Sequence, residues 1–438
     1  MFFNRKNELE TLEKEYARDS SAFSVIYGRR RVGKTALIHA YIQNKPNIFL
    51  YATEASFLIQ LENIKPQLLK LIDKKYLQDI KLESFEQFFS LLLEYDFKEK
   101  LVLVIDEYQN LCKIDSSFSS LLQKIWDMQL KDKNIHIILC GSVISMMHTE
   151  VLNYSAPLYG RRTSNIHLKA LNFRYIKDFI PNLSPEDEMN IFASFGTIPK
   201  YLELYDKNLS FKENLKENIF NKNSFLYSEG YFLLKQEIAE ITTYFSILET
   251  ISKGETKIGN IASRLQVPTT SLTRYLIKLI DLDILVKETP VLGKNPLKSK
   301  MGRYKFKDRF LNFWFYYVYK NFNFLEMSQM DTVLKEIELN FNDRFVSFAF
   351  EDYVLEEIEL NPKKYIDFTP NKVGRWWNNK EEIDIIAFND ENIAFIECKW
   401  QNSVNKERVK HKLIEKAKDL SQDKIASYLV ISKEDYKK

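Results

Sequence analysis

The stretch FSVIYGRRRVGKTALIHAYI (residues 23–42) decides the fold of the N-terminal half of the chain. An apolar run precedes a glycine-containing loop, and a helical pattern follows the loop. The loop has the spacing G-x-x-x-x-G-K-[ST], in which backbone N–H groups surround a β-phosphate and the next helix adds a positive dipole end. A turn merely punctuated by glycines is the alternative. The stretch therefore predicts a strand, a phosphate-binding loop and a helix.

Each part of this loop has a predicted role in holding a nucleotide. Lys34 is expected to reach the β- and γ-phosphates, and the Thr35 hydroxyl to be a ligand of Mg²⁺. The residues predicted to contact the nucleotide are Gly28, Arg29, Arg30, Arg31, Val32, Gly33, Lys34, Thr35 and Ala36. The loop thus implies a nucleotide and Mg²⁺ as cofactors.

A second apolar run, LVLVIDEYQNL (residues 101–111), ends in two acids. Such a run is typical of a central parallel strand, and ligands of open α/β sheets bind at the carboxyl ends of the strands. Asp106 is predicted to order the Mg²⁺ through water, and Glu107 to polarise the attacking water. Acids that merely end a strand are the alternative. Beside the phosphate-binding loop, the pair predicts a nucleotide hydrolase.

Two further segments carry polar residues that suit the same site. IHIILCGS (residues 135–142) is a third buried strand, and Ser142 is predicted either to touch the γ-phosphate or lytic water or to cap the next helix. In PLYGRRT (residues 157–163), Arg161 and Arg162 are predicted to stabilise charge on a transferring phosphoryl group, in cis or from a neighbouring subunit. An exposed arginine pair is the alternative. A role in trans implies a homo-oligomer.

Length and composition set the frame for these motifs. A chain of 438 residues is expected to form about two to four domains. The net charge of +3 neither demands nor excludes nucleic acid. Cys112, Cys140 and Cys398 lack metal-ligand spacing and are expected to be small buried residues in a reducing compartment. The charged N-terminal segment is not a secretory signal, and FLNFWFYYVY (residues 310–319) is too short to span a bilayer. The chain is predicted to be cytoplasmic, without a membrane partner.

Residues 240–290 follow the plan of a helix-turn-helix. An amphipathic helix precedes two more helices joined by a turn at Val267–Pro268. The apolar residues expected to point inward from the last helix are Leu272, Leu276 and Leu279. Thr269 and Thr270 are predicted to cap that helix and to touch phosphates. The pattern predicts a DNA-binding element.

Basic residues near this element support the same interpretation. Arg274 and Lys278 lie four residues apart on the outer face of the last helix, and ILVKETP follows as a wing strand. The basic run KNPLKSKMGRYKFKD (residues 294–308) is predicted to form the second wing strand and its loop, with a phosphate-binding patch. Winged helices also bind proteins, and that alternative stays open. Double-stranded DNA is the predicted partner.

The tail EEIDIIAFNDENIAFIECKW (residues 381–400) predicts an antiparallel hairpin around the turn NDEN. If Phe388 faces Ile393, Asp384 lies directly opposite Glu397, and Lys399 shares their face. Like charges opposed on a sheet are destabilising. A divalent cation between the two carboxylates is the simplest expected compensation.

The same tail has the parts of a metal-dependent phosphodiesterase. Lys399 is predicted to orient or activate a water beside Mg²⁺ or Mn²⁺, with the Cys398 carbonyl as a further ligand. Upstream, Glu351 lies among apolar residues of the predicted helix FVSFAFEDYVLEEI (residues 345–358) and is placed to face this site. A helix and a last buried strand, KIASYLVIS, complete the order helix, strand, strand, helix, strand.

Six motifs resemble, in their order, those of archaeal-type ATPases of the STAND group, which are relatives of AAA+ proteins. The motifs are FNRKNELETL, GRRRVGKT, VLVIDEYQNL, ILCGS, PLYGRRT and GTIPKYL. The resemblance implies that the nucleotide is ATP and that its hydrolysis acts as a switch. It places the segment around Asn4 and Arg5 near the base of the nucleotide. It places the turn from Gly196 to Pro199 in a helical lid. Many relatives carry two glycines where this chain has Phe195 and Gly196.

The segment GRWWNNKEEIDIIAF…IAFIECKW resembles a C-terminal domain found on many of these ATPases and related to the PD-(D/E)xK nucleases. The resemblance assigns Glu351, Asp384 and Glu397 to the family's acids and Lys399 to its lysine. Retention of this fold for binding alone is the alternative.

Together these observations predict an α/β protein of four parts. The expected domains are a P-loop ATPase with a parallel sheet (1–170), a helical lid (171–235), a winged helix-turn-helix (236–320) and a restriction-endonuclease-like α/β domain (321–438). The predicted function is a switch ATPase that controls a DNA-binding winged helix and a metal-dependent nuclease-like domain. The alternative is an ATP-dependent DNA-binding or protein-assembly regulator whose nuclease fold is degenerate.

Overall fold

The computed structural model describes residues 3–72, 74, 79–238, 240–293, 299, 301–421 and 423–437. These residues form two compact units, Met1–Leu171 (unit 1) and Asn172–Lys438 (unit 2). The segment predicted as a lid, residues 171–235, therefore lies almost wholly in unit 2. The division of unit 2 into three domains stays a prediction.

Unit 1 is built on a parallel five-stranded sheet of order β2-β3-β4-β1-β5 in the described part of the chain. Its strands are β1 (Ala22–Tyr27), β2 (Asn47–Tyr51), β3 (Leu101–Asp106), β4 (Ile135–Gly141) and β5 (Ser164–His167). The three runs predicted as buried strands are β1, β3 and β4, and they are buried at every position. They occupy the middle of the sheet, where both faces are covered, as their continuous apolar character requires.

Helices cover this sheet and connect its strands. They are α1 (Lys6–Tyr16), α2 (Lys34–Ile42), α3 (Phe57–Leu71), α4 (Phe85–Leu92), α5 (Gln109–Ile114), α6 (Phe118–Ile125) and α7 (Ile144–Met147). Phe23, Leu103 and Ile137 of three neighbouring strands share one buried apolar cluster with Phe88 and Leu122 of the helices. Burial of this apolar surface is the main force that holds the strand ends, and hence the site, in place.

Unit 2 begins with helices and a helix-turn-helix. Its helices before the first strand are α8 (Ile176–Phe179), α9 (Pro185–Ser194), α10 (Pro199–Leu202), α11 (Phe211–Leu215), α12 (Glu229–Glu237), α13 (Thr242–Ser252), α14 (Ile258–Leu265) and α15 (Thr269–Asp281). Two antiparallel strands follow, β6 (Leu285–Glu288) and β7 (Arg303–Phe306). The order of α13, α14, α15, β6 and β7 matches the order predicted for a winged helix, and that assignment stays a prediction. The three inward leucines of α15 are buried as predicted.

Two details of the predicted winged helix need correction or stay open. Pro268 occupies the N-cap of α15 and no side chain caps the helix, so the capping role predicted for Thr269 and Thr270 is wrong. Residues 294–298 and 300 of the predicted basic run lie outside the described residues.

The rest of unit 2 is a helical segment followed by a mixed sheet. The helices are α16 (Arg309–Phe313), α17 (Phe322–Glu326), α18 (Met330–Phe341), α19 (Ser347–Leu360), α20 (Lys406–Ala417) and α21 (Lys433–Lys437). The strands are β8 (Lys372–Trp377), β9 (Glu382–Phe388), β10 (Asn392–Lys399) and β11 (Ile425–Ser432). Their order is β11-β10-β9-β8, with β10 and β11 parallel and the other pairs antiparallel. The endonuclease-like character of this sheet stays a prediction.

The hairpin of β9 and β10 has the predicted register, because Phe388 faces Ile393. One strand of this sheet was missed, and one expectation for another strand is wrong. β8 was not predicted, since its half-buried residues, with Gly374 and Arg375 among them, do not alternate as a strand pattern would. β11 is an edge strand rather than a buried one, and its Ile425 is 73% exposed. A strand with one neighbour cannot cover both of its sides.

Two smaller expectations can also be compared with the structure. All three cysteines are buried and free. The aromatic run at residues 310–319 packs inside unit 2, where Phe313, Trp314 and Phe315 have no exposed surface. Among the helices of the described residues, none is both long and apolar enough to cross a bilayer.

Candidate nucleotide site and carboxylate cluster

The loop between β1 and α2 has the backbone that a phosphate-binding loop requires. Gly28 has φ 148°, and a side chain there would place its Cβ 2.2 Å from the Leu168 carbonyl oxygen. Gly33, at the N-cap of α2, has φ 96° and open space where a Cβ would lie. Both conformations favour glycine. The loop thus turns sharply at Gly28, and no atom lies near the position that a Gly33 side chain would take at the start of α2.

Lys34 is buried and held by the loop itself. Its Nζ donates to the carbonyl oxygens of Gly28 at 2.8 Å and Arg29 at 2.9 Å. Burial lowers the pKa of the Lys34 ammonium from its usual value. A buried ammonium bonded only to neutral oxygens has charge left for an anion, so the donor set fits a phosphate group.

Thr35 and Asp106, the two predicted Mg²⁺ ligands of unit 1, lie together. The Thr35 hydroxyl donates to Asp106 Oδ2 at 2.7 Å, although the residues are 71 positions apart in the chain. Asp106 ends β3, and the parallel order of the sheet brings that end beside the loop after β1. Mg²⁺ is commonly bound through one or two protein ligands together with phosphate oxygens and water. A hydroxyl and one carboxylate fit that preference.

Glu107 is held by two donors. The Ser142 hydroxyl donates to Glu107 Oε2 at 2.6 Å, and the Gln109 amide donates to the same oxygen. Ser142 therefore acts on the predicted base, and it does not cap α7, whose N-cap is Val143. Sequence reasoning missed Gln109, whose signal is its position at the start of the helix that follows the two acids. Lys34, Thr35, Asp106, Glu107 and Ser142 are hereafter called the strand-end site.

Arg5 stabilises the phosphate-binding loop through a hydrogen bond to the loop backbone. Its Nη2 donates to the Val32 carbonyl oxygen at 2.9 Å and to the Lys169 carbonyl oxygen at 2.7 Å. The side chain is buried, and its backbone is left-handed with φ 78°. The resemblance placed this segment near the base of the nucleotide. The structure shows that Arg5 contacts the phosphate-binding loop through Val32. Arg5 was therefore missed as a positioning residue.

Arg161 and Arg162 lie away from the strand-end site of their own chain. They precede β5, and Thr163 N–H donates to the Phe23 carbonyl oxygen, near the start of β1. In a parallel sheet the start of β1 is the edge opposite the phosphate-binding loop. Arg161 forms an ion pair with Asp127 at 3.0 Å. The structure therefore does not bring the two arginines to the loop in cis.

The predicted acids of the C-terminal sheet lie together, but with basic side chains between them. Asp384 Oδ2 accepts from the Cys398 N–H at 2.8 Å and lies 3.6 Å from Lys399 Nζ. Glu397 binds Lys399 Nζ at 2.8 Å through one oxygen and Lys416 Nζ at 2.7 Å through the other. Lys416, on α20, was not predicted. The sequence feature that could have identified Lys416 is its position on a lysine-rich helix that follows the E-x-K segment.

The third acid is neutralised by an arginine. Arg375 of β8 contacts Glu351 at 3.3 Å, Asp352 at 2.7 Å and Glu288 at 3.4 Å. Glu351 and Asp352 belong to α19 and Glu288 to β6, so one guanidinium joins three elements of unit 2. Glu351, Asp384 and Glu397, with Arg375, Lys399 and Lys416, are hereafter called the carboxylate cluster.

Burial and charge separate the pKa values of these acids. Burial raises the pKa of Asp384 to about 7, and the negative charges of Glu351 and Glu397 add to the effect. Burial also acts to raise the pKa of Glu397, but the hydrogen bonds and charges of Lys399 and Lys416 outweigh it and hold the pKa below its usual value. Burial raises the pKa of Glu351 despite Arg375. The two lysines therefore favour the ionised form of Glu397, while burial favours the neutral forms of Asp384 and Glu351.

The cation predicted between Asp384 and Glu397 stays a prediction. Lys399 and Lys416 supply positive charge at these two carboxylates. Within the described ranges, no three His, Cys, Asp or Glu side chains are grouped so that they could hold a metal ion. Both oxygens of Glu397 are bound by ammonium groups, which a metal ion would have to displace.

The described part of the predicted basic patch on the wing is also neutralised. Its three basic residues on or next to β7 each pair with an acid of unit 2. The pairs are Arg303–Glu382, Lys305–Glu288, Lys305–Asp352 and Lys307–Asp283. Trp377 is buried and donates from Nε1 to the Met301 carbonyl oxygen at 3.0 Å. The wing thus packs against the sheet of its own unit.

Two family descriptions match parts of the chain. Residues 2–205 match the family described as an ATPase domain predominantly from Archaea. Residues 314–411 match a family described as Archaea bacterial proteins of unknown function. The first match contains the whole strand-end site and continues into unit 2, where it includes α9 and the turn from Gly196 to Pro199. The second contains Glu351, Asp384, Glu397 and Lys399.

Individual proteins extend this comparison. The chain is 36% identical to the uncharacterized protein MJECL04 of Methanocaldococcus jannaschii over 436 residues, which is 98% of this chain and 95% of that protein. A stretch of 45 residues, 10% of this chain, is 51% identical to the uncharacterized ATP-binding protein MJ0423 of the same organism and covers 76% of it. The Walker-type ATPase paby2304 of Pyrococcus abyssi has a similar fold, with a TM-score of 0.53 and 20% identity, over 72% of this chain and 96% of that chain.

Proposed function

The chain belongs to the same family as MJECL04, and its residues 2–205 match an ATPase domain predominantly from Archaea. From these matches we propose that it binds and hydrolyses ATP at the strand-end site and uses hydrolysis as a switch. The observation that carries the proposal is the hydrogen bond between Thr35 and Asp106. It joins the two motifs on which ATP hydrolysis by a P-loop depends, the phosphate-binding loop and the acidic strand end.

The residues of the strand-end site divide the work between binding and chemistry. The loop amides from Gly28 to Thr35 and the Lys34 ammonium bind the phosphates, and Arg5 keeps the loop in shape through Val32. Thr35 and Asp106 hold Mg²⁺, which neutralises phosphate charge when it is bound. Glu107 orients and polarises the attacking water, and Ser142 and Gln109 position its carboxylate.

Glu107→Gln is the test of this assignment. The variant is expected to bind ATP with an affinity close to that of the wild type, since the amide removes no phosphate contact. Its steady-state turnover should fall about 100-fold, because general-base catalysis contributes about 10²–10⁴-fold. ATP binding is measured by calorimetry and turnover by phosphate release. Normal turnover in the variant would show that another group polarises the water.

For unit 2 we propose an ATP-controlled binding role on double-stranded DNA without metal-dependent cleavage. Thr269, Thr270 and Arg274 are exposed on α15, as a helix that contacts DNA requires. The lysines and the arginine of the carboxylate cluster favour this role over the nuclease-like one, because a catalytic metal would have to displace them.

A matched pair of variants tests the binding role. Arg274 stacks on Tyr275 with its guanidinium 4.7 Å from the ring, and Arg174, on another part of unit 2, stacks on Tyr175 at 4.9 Å. Arg274→Ala should weaken binding to duplex DNA several-fold and lower its salt dependence by about one counterion. Arg174→Ala should change neither.

The same preparation decides the cleavage question. The protein, with Mg²⁺ or Mn²⁺, is expected to leave plasmid DNA intact in the presence and absence of ATP. Metal-dependent nicking that is lost in Asp384→Ala would overturn the metal-free role and restore the nuclease prediction.

A role for Arg161 and Arg162 in hydrolysis requires a second subunit, since the phosphate-binding loop of the same chain lies at the opposite end of the strands. A homo-oligomer therefore stays part of the proposal.

A further inference from the structure

The phosphate-binding loop contains three consecutive arginines, and the middle one has an unusual side chain. Arg30 Nε is buried and has no hydrogen-bond acceptor within the described part of the chain. Buried donors in native proteins are nearly always paired. A guanidinium in this state, in a loop predicted to bind phosphate, keeps a donor that an anionic ligand can satisfy.

The charges around Arg30 place it on one side of the loop. Burial lowers the pKa of Lys34, and the like charge of Arg30 adds to the lowering. Burial raises the pKa of Tyr51, and the negative charges of Glu107 and Asp106 raise it further. The positive charge of Arg30 acts in the opposite direction. Tyr51 ends β2 and pairs across the sheet with Asp106. Arg30 is therefore within electrostatic range of Lys34 and of Tyr51 at the end of β2, the residue that pairs with Asp106.

This position distinguishes the phosphates that Arg30 can reach. The loop amides and the first turn of α2 surround the β-phosphate. The terminal phosphate must lie nearer to Asp106, which holds the metal, and to Glu107, which activates the water. Arg30 and Lys34 lie four residues apart in one loop, without an acidic ion-pair partner among the described residues, and their like charges repel. An anion between them removes that repulsion.

We propose that the Arg30 guanidinium binds the γ-phosphate oxygens of ATP in cis, an inference that rests on the ATP site proposed above. Its planar fork offers two N–H groups to two oxygens of one phosphoryl group. No covalent bond forms to the arginine. The guanidinium stabilises the negative charge that spreads over the phosphoryl oxygens during hydrolysis. Arg30 thus supplies, from the loop of the same subunit, the cation that the sequence had assigned to Arg161 and Arg162.

Binding of ADP and of a non-hydrolysable ATP analogue, each with Mg²⁺, tests the inference by calorimetry. Arg30→Ala should weaken binding of the analogue by about tenfold to hundredfold, as expected for loss of a charge-assisted hydrogen bond. Its affinity for ADP should stay within about twofold of the wild-type value. Arg30→Lys should recover part of the loss, since it keeps the charge but not the fork. Unchanged ADP binding shows that the loop of the variant is folded.

Arg18→Ala is the matched control, because it removes the same charge from an exposed arginine of unit 1 outside the phosphate-binding loop. It is expected to change the ratio of the two affinities by less than about twofold. Equal losses for ADP and the analogue in Arg30→Ala, equal effects of the two variants, or no effect would each overturn the inference. If the wild type binds neither nucleotide, the proposed ATP site fails first and takes the inference with it.

Discussion

The strand-end site and the carboxylate cluster use similar residues and differ in their counter-charges. Each places acids at or near the ends of parallel or antiparallel strands, with a lysine close by. In the strand-end site, Lys34 bonds to backbone carbonyls and Asp106 to a hydroxyl, so the charges of both are available. In the carboxylate cluster, Lys399 and Lys416 are bonded to Glu397 itself.

The difference shows that residue type alone does not define a site. A binding site for phosphate and metal needs charges that are held in position by neutral partners and remain available to a ligand. A cluster whose opposite charges are already paired gains little from a further ion, because the ion must first displace a partner. The first site is therefore open to ligand chemistry, while the second mainly holds α20 against β9 and β10.

The largest expected effect comes from the first site. Lys34→Ala should weaken ATP and ADP binding by about 100-fold or more, because the lysine contacts phosphates that both nucleotides carry. Lys113→Ala, which removes an exposed lysine of the same unit, is the control and should leave both affinities unchanged. Calorimetry measures the two dissociation constants. Tight nucleotide binding by the Lys34 variant would remove the contrast between the two sites.

The next effect concerns the lysine that sequence reasoning missed. Lys416→Ala leaves one oxygen of the buried Glu397 without its partner and should lower the free energy of unfolding by about 1–3 kcal/mol. Lys418→Ala, at an exposed position just after the same helix, should change it by less than about 0.5 kcal/mol. Urea unfolding measures both. Equal effects of the two variants would mean that Lys416 does not neutralise the cluster.

The smallest effect depends on pH. The folded-state pKa of Asp384 is raised to about 7 from 3.8, so its contribution to stability is present below about pH 4 and is lost as the pH rises through about 7. Asp384→Asn cannot ionise and still accepts from the Cys398 N–H. It should therefore raise the free energy of unfolding by about 1 kcal/mol at pH 8, relative to the wild type, and by less at pH 5.

Urea unfolding of both proteins at the two pH values checks the sign of this effect. The outcome that contradicts it is a variant that is less stable than the wild type at pH 8. Such a result would mean that the ionised carboxylate is favoured in the fold, and that Lys399 outweighs burial.

The sequence alone determined the elements and motifs that depend on local pattern. Continuous apolar runs identify β1, β3 and β4, because strands covered on both faces cannot carry polar residues. The glycine spacing identifies the loop, because only glycine adopts φ 148° with a carbonyl 2.2 Å from its missing Cβ. The apolar alternation of the tail identifies the hairpin, and its turn sets the register that pairs Phe388 with Ile393.

Only the tertiary structure decided which charges meet. The support of the loop by Arg5, the contact of Gln109 with Glu107, and the pairing of Glu397 with Lys416 join side chains through the fold, and no local pattern encodes them. The same holds for Arg161, which the parallel order of the strands places at the edge of the sheet opposite its own loop. Coulomb energy depends on distance in space and on burial, and neither quantity can be read from spacing along a chain.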